Sequence, residues 1–116
     1  MSDAVVQIER IRCIMQEEVP ADEVVLRQGG IQIWPDCFQG TSLSDGTEAV
    51  VARVVPFGDS PEAVITLIEQ DNPGVDDILG TVVIHESEAG AGLRTADITT
   101  PGSKYRLTYR VGRVQF

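Results

Sequence analysis

The chain has 116 residues, with 9 Lys plus Arg against 18 Asp plus Glu, a net charge of −9 at pH 7 and 42% apolar content. That length fits a single domain, residues 1–116, with enough apolar residues for a core and too many for a disordered chain. No apolar run approaches the ~20 residues of a membrane-spanning helix, so no transmembrane segment is expected, and the acidic balance argues against nucleic acid, whose phosphates call for a basic face.

Met1-Ser2-Asp3 carries no basic leader followed by an apolar stretch. No secretory signal is expected, and the expected location is cytoplasmic. Val5, Ile8, Ile11, Ile14 and Met15 fall at helical spacing, with Ser2 placed to cap a helix. The same segment reads as a strand whose phase breaks, with Val6 and Ile8 on one face and Ile11, Cys13 and Met15 on the other. A bulge near Glu9–Arg10 would reconcile the two halves. Both readings stand at this point, and Pro20 ends the segment in either. As a strand it would meet Glu23–Gln28 across a turn near residue 19. Cys13 would then lie across from Val25 rather than Cys37. Both cysteines read as plain thiols, and one histidine without a Cys-x-x-Cys leaves no zinc or iron–sulfur pattern.

Downstream, turn signals recur at Gln28-Gly29-Gly30, Pro35-Asp36, Ser44-Asp45-Gly46, Pro56-Phe57-Gly58-Asp59, Asp71-Asn72-Pro73-Gly74, Ala89-Gly90-Ala91-Gly92 and Pro101-Gly102. Between them lie runs rich in Val and Ile, the pattern of an all-β sandwich or barrel. Strands are expected at Glu23–Gln28, Ile31–Trp34, Glu48–Val55, Ala63–Glu69, Leu79–Glu86 and Lys104–Val111. The last alternates most cleanly, with Tyr105, Leu107, Tyr109 and Val111 toward a core and Arg106, Thr108 and Arg110 toward water. Trp34 and Phe38, flanking Pro35, read as core or loop packing.

Charge is segregated. Residues 98–116 hold Lys104, Arg106, Arg110 and Arg113 and no acid, while the other five cations and all 18 acids precede them. Acids concentrate at Glu17, Glu18, Asp22 and Glu23 and again at Glu69, Asp71, Asp76 and Asp77. Each group lies between apolar runs and so on a turn, where solvation alone would account for it. The basic row Arg106, Arg110 and Arg113 suggests either an anion contact or a counterweight to the acidic body.

The stretch Ile68-Glu69-Gln70-Asp71-Asn72-Pro73-Gly74-Val75-Asp76-Asp77-Ile78-Leu79-Gly80 resembles the third calcium-binding loop of C2 domains. It has an apolar strand, two acids two apart, a short turn and then Asp-Ile-Leu-Gly opening the next strand. Ala21-Asp22-Glu23-Val24-Val25-Leu26 is similar to the stretch that closes the family's first loop, and Tyr105–Val111 to its last strand. The resemblance implies an antiparallel eight-stranded C2-like β-sandwich over most of residues 5–114. It also implies calcium (Ca2+) ligation by Glu69, Asp71 and Asp77 of the third loop and Asp22 of the first. Gln16 stands where the family has a first-loop aspartate, and Glu17 beside it offers a carboxylate instead. The candidate metal set is therefore Glu17, Asp22, Glu69, Asp71 and Asp77.

Calcium takes about 6–8 oxygen ligands, more than one loop supplies, so two loops must share it. Clustered carboxylates repel each other and an anionic membrane until such an ion is held. The expectation is a non-enzymatic binding module that engages membrane phospholipid or a protein partner through its acidic end, peripheral at a membrane. The alternative is a calcium-independent structural or adaptor protein that docks into a larger assembly. Enzyme readings lack their motifs. His85-Glu86 has no second histidine for His-Glu-x-x-His, and no Gly-x-Ser-x-Gly elbow or nucleotide-binding glycine loop occurs.

Overall fold

A computed structural model of the chain describes residues 3–17, 19–57, 59–70 and 75–114. Among these it has nine strands: β1 (Ala4–Met15), β2 (Asp22–Gln28), β3 (Ile31–Trp34), β4 (Thr41–Leu43), β5 (Glu48–Pro56), β6 (Glu62–Glu69), β7 (Asp77–His85), β8 (Arg94–Thr100) and β9 (Ser103–Arg113). A short 3-10 turn spans Glu86–Glu88. The strands form two antiparallel sheets, one ordered β5-β1-β9-β8 and the other β3-β2-β6-β7, with β4 also paired to β2.

The count of nine, against the eight expected, comes from one broken edge. β3 pairs with Leu26–Gln28 and β4 with Asp22–Val24, both on the same side of β2. Between them residues 35–40 leave the sheet as a strap. Pro35 begins it, and a proline has no N–H to offer the ladder.

The N-terminal segment is a strand. Tyr109 pairs with Ile8 and Thr108 with Arg10, so Glu9 is the extra residue of a bulge. The bulge shifts the inward set from Ala4, Val6 and Ile8 to Ile11 and Cys13, all buried. That shift produces the helix-like spacing, and pairing on both sides, to β5 and β9, overrides the local preference. β1 does not meet β2, contrary to the sequence expectation. The two lie in different sheets, and Cys13 pairs with Tyr105.

The core lies between the sheets. β9 contributes Tyr105, Leu107, Tyr109 and Val111, as its alternation indicates, and β6 contributes Ala63, Ile65 and Leu67. Trp34 is buried in the same cluster, but Phe38 is 90% exposed, so the packing expected of it is absent. Two strands escape the sequence reading. β4 has three residues, and edge strand β8 has Ile98 as its one large apolar side chain.

Val25 and Ile68 form a second, smaller apolar site. They are cross-strand partners whose side chains alternate away from the main core, yet both are buried. Two segments fold back over that outer face. The strap is held by Gln70, whose Oε1 accepts from the Gly40 N–H (2.7 Å) and whose Nε2 donates to the Phe38 carbonyl (3.0 Å). A Cβ at Gly40 would come within 2.9 Å of the Val24 carbonyl oxygen, so the end of the strap, next to the Thr41 that pairs with Val24, packs against the β2 backbone. From the other side, Asp76 of the β6–β7 loop reaches Arg27 at 3.6 Å.

Candidate metal centre

One end of the sandwich collects the β1–β2 loop, the β4–β5 turn and the β6–β7 loop. Glu69 closes β6 and continues its inward-facing series beyond Ala63, Ile65 and Leu67, so its carboxylate enters the end of the inter-sheet space at 1% exposure. Asp77 opens β7 directly opposite Glu69. Glu17 comes in from the β1–β2 loop. One carboxylate oxygen from each of Glu17, Glu69 and Asp77 lies within 4.8 Å of the others.

Asp22 stands behind this trio. It is fully buried at the start of β2, and its Oδ2 accepts from the Glu17 backbone N–H (2.8 Å) and from the Tyr105 hydroxyl (2.5 Å). Asp71 lies outside the described residues. Of the five residues read from the sequence, the structure thus brings three together, places Asp22 against the backbone of one of them and does not describe the fifth.

Gln16 has a different task. Its backbone N–H donates to Asp45 Oδ1 (2.7 Å), its Oε1 accepts from the Asp45 N–H (2.9 Å) and its Nε2 donates to the Pro20 carbonyl (2.8 Å). It ties the β1–β2 loop to the β4–β5 turn, which is itself pinned to Cys13 through Gly46 N–H and Thr47 C=O. The carboxylate of the loop is the neighbour, Glu17.

The sequence reads Tyr105 as core alone. The available signal is its hydroxyl, since a buried tyrosine needs a hydrogen-bond partner and the apolar interior offers none. Burial first, then the hydrogen bond to Asp22, push its pKa far above the ordinary 10, so the group stays a donor. Burial also raises the Cys13 thiol beside it.

The donor set consists of hard carboxylate oxygens without sulfur or imidazole, which suits calcium or magnesium rather than a transition metal. Two oxygens bound to one calcium at about 2.4 Å are at most about 4.8 Å apart, a limit the trio already meets. The residues present therefore fit a calcium ion.

The basic row is balanced locally. Arg106 pairs with Asp97 at 2.8 Å, Lys104 with Asp97 at 3.8 Å, Arg110 with Glu9 at 3.5 Å, and Arg113 with Asp3. These contacts favour the counterweight reading over an anion site.

No protein-family model and no curated protein matches the chain. Solved structures do. The first C2 domain of a plant extended synaptotagmin 1 aligns over 97% of this chain and 95% of its own, at 11% identity and a TM-score of 0.58. A structure of the paired C2 domains of extended synaptotagmin 2, calcium bound, aligns over 96% of this chain and 46% of its own, at 18% identity and a TM-score of 0.54. The chain spans 17% of the length of a human GIVD cytosolic phospholipase A2 that it also matches, at 15% identity and a TM-score of 0.48. The fold is C2-like, an all-β antiparallel sandwich. Among the described residues, no helix is long and apolar enough to cross a membrane.

Proposed function

We propose that the protein is a calcium-dependent binding module that engages anionic phospholipid through the acidic end of the sandwich. The observation that carries this reading is the convergence of Glu17, from the β1–β2 loop, with Glu69 and Asp77, from the end of the β6–β7 hairpin, onto one point. Like charges are not brought together in a partly buried cleft without a compensating charge. Those three residues would hold the ion, with Asp71 as a further ligand implied by the resemblance to C2 domains. When bound, a calcium ion supplies positive charge and open coordination positions for phosphate or carboxylate oxygens of a lipid headgroup.

The chain's own residues supply the rest. Before loading, the carboxylates repel an anionic surface, and neutralising them removes that barrier. Val19 lies between Glu17 and Asp22 in the sequence, and Val75 and Ile78 flank Asp77. Val19 is 91% and Val75 85% exposed. Exposed apolar side chains beside the ligands offer contacts that a membrane interior rewards and water does not. The calcium-bound state of the extended synaptotagmin 2 structure supports the reading at the level of fold.

Sedimentation with phosphatidylserine vesicles tests it, with parallel calorimetric titration of calcium into the metal-free protein. The expected result is heat on titration and co-sedimentation that EDTA abolishes. Absence of both at millimolar calcium overturns the reading. Calcium-independent capture into a larger assembly would instead favour the adaptor role.

A further inference from the structure

Tyr105 belongs to the β5-β1-β9-β8 sheet and Asp22 to the β3-β2-β6-β7 sheet, so their hydrogen bond crosses the sandwich, and Asp22 carries it on to the Glu17 backbone. We propose that Tyr105 is the positioning residue of the cation site: through Asp22 it fixes the backbone at Glu17 and thereby holds the Glu17 carboxylate against those of Glu69 and Asp77. The inference rests on the calcium reading above and assigns a role to a residue that touches no ion.

The three carboxylates are not equally secured. Glu69 and Asp77 sit on paired strands, where the ladder sets their backbones. Glu17 sits in the β1–β2 loop, where no ladder does so. Its N–H donates to Asp22 Oδ2, and the same oxygen accepts the Tyr105 hydroxyl. Gln16 binds that loop to the β4–β5 turn and so, at one remove, to Cys13. The Asp22–Tyr105 contact adds a direct side-chain link from the Glu17 backbone itself to the core, because Tyr105 is fully buried on a central strand beside Cys13.

A phenylalanine at position 105 would fill the same space. The hydroxyl adds the link to Asp22, donating to its Oδ2 at 2.5 Å. Removing a group hydrogen-bonded to a metal ligand lowers metal affinity by about 10–100-fold, and Tyr105, which acts through Asp22, stands further back, so the lower end of that range applies to it.

The test compares wild type with Tyr105→Phe by calorimetric titration with calcium chloride alone. Backbone amide hydrogen exchange is measured on both metal-free proteins. The expected result is about 10-fold weaker calcium binding in the variant. Exchange at the Glu17 amide should quicken while the ladder amides of Ile8 and Leu107 stay slow. Equal calcium affinities, even with a lower melting temperature for the variant, would mean a purely structural hydroxyl and would overturn the inference alone. A wild type that gives no heat overturns the calcium reading and, with it, this inference. If Tyr105→Phe does not fold, wild-type exchange decides: a Glu17 amide exchanging like an unstructured one overturns the anchor, and a strongly slowed one upholds it.

Discussion

Glu69 and Asp77 face each other across the last rung of the β6–β7 ladder. Like charges directly opposite in a sheet destabilise it, and burial of Glu69 sharpens the effect. Asp77→Asn should therefore raise stability in EDTA by about 0.2–1 kcal/mol. The same change should weaken calcium binding, since it removes a ligand charge. Denaturant melts in EDTA and calcium titrations measure the two effects. A variant less stable than wild type in EDTA would count against stored repulsion at this rung.

Vesicle binding and calcium binding should separate by mutation. Val19 and Val75 are almost wholly exposed and are not carboxylate ligands. Burying a valine side chain is worth about 1.5–3 kcal/mol, so Val19→Ser or Val75→Ser should each weaken binding to phosphatidylserine vesicles by about 10-fold or more. Calcium affinity measured without lipid should stay close to that of wild type. Unchanged sedimentation of both variants would show that these side chains do not meet the membrane.

The sandwich is legible in the sequence because inward alternation in β9 and the apolar runs of β2, β6 and β7 leave few other ways to bury Val and Ile. β1 is not, because the bulge at Glu9 resets its phase and mimics a helical period. The split edge strand is hidden too, since nothing local in Thr41–Leu43 marks three residues as a strand. At the site, Glu69 and Asp77 are readable from the hairpin they close. The work of Asp22 is not, because it depends on a tyrosine 83 residues away on the opposite sheet. Pairings across that distance are set by tertiary packing, and spacing along the chain carries no record of them.

A second carboxylate–tyrosine pair makes stability depend on pH. Burial alone would raise the Glu88 carboxyl. The His85 N–H, the Tyr109 hydroxyl at 2.6 Å and Arg94 together hold it below its ordinary 4.5. Tyr109, buried and facing Glu88, is pushed up to about 12. The lowered carboxyl adds stability that is complete above pH 4.5 and is lost as the pH falls through its folded value. The raised phenol adds stability that is complete below its ordinary 10 and is lost as the pH climbs toward about 12. Melting temperatures from about pH 3 to about pH 11 should thus show a plateau, with Glu88→Gln flattening the acid limb and Tyr109→Phe the alkaline one. An acid limb identical in Glu88→Gln and wild type would refute the assignment.

The two cysteines should behave as separate thiols. Cys13 is buried with its pKa raised by that burial, and Cys37 is exposed on the strap. A thiol reagent should label one group in the native protein and both after denaturation, with no reductant required. Loss of both labels in the oxidised, denatured protein would indicate a disulfide that this geometry does not contain.

Gln70 links the strap to the strand that ends in Glu69. Its side chain makes two hydrogen bonds, to Gly40 and Phe38, across the outer face where Val25 and Ile68 are buried. A hydrogen bond contributes about 0.5–1.5 kcal/mol net, so Gln70→Ala should lower stability by about 1–3 kcal/mol. Its more specific consequence is local. With the strap released, chymotrypsin should cleave after the exposed Phe38 well before it cuts at the buried Tyr105 or Leu107. Wild type under the same conditions should resist, because the Gln70 hydrogen bonds to Gly40 and Phe38 and the packing of Gly40 on β2 keep the strap from extending into a protease cleft. Equal cleavage rates would show that the strap is held by its packing on β2 rather than by Gln70.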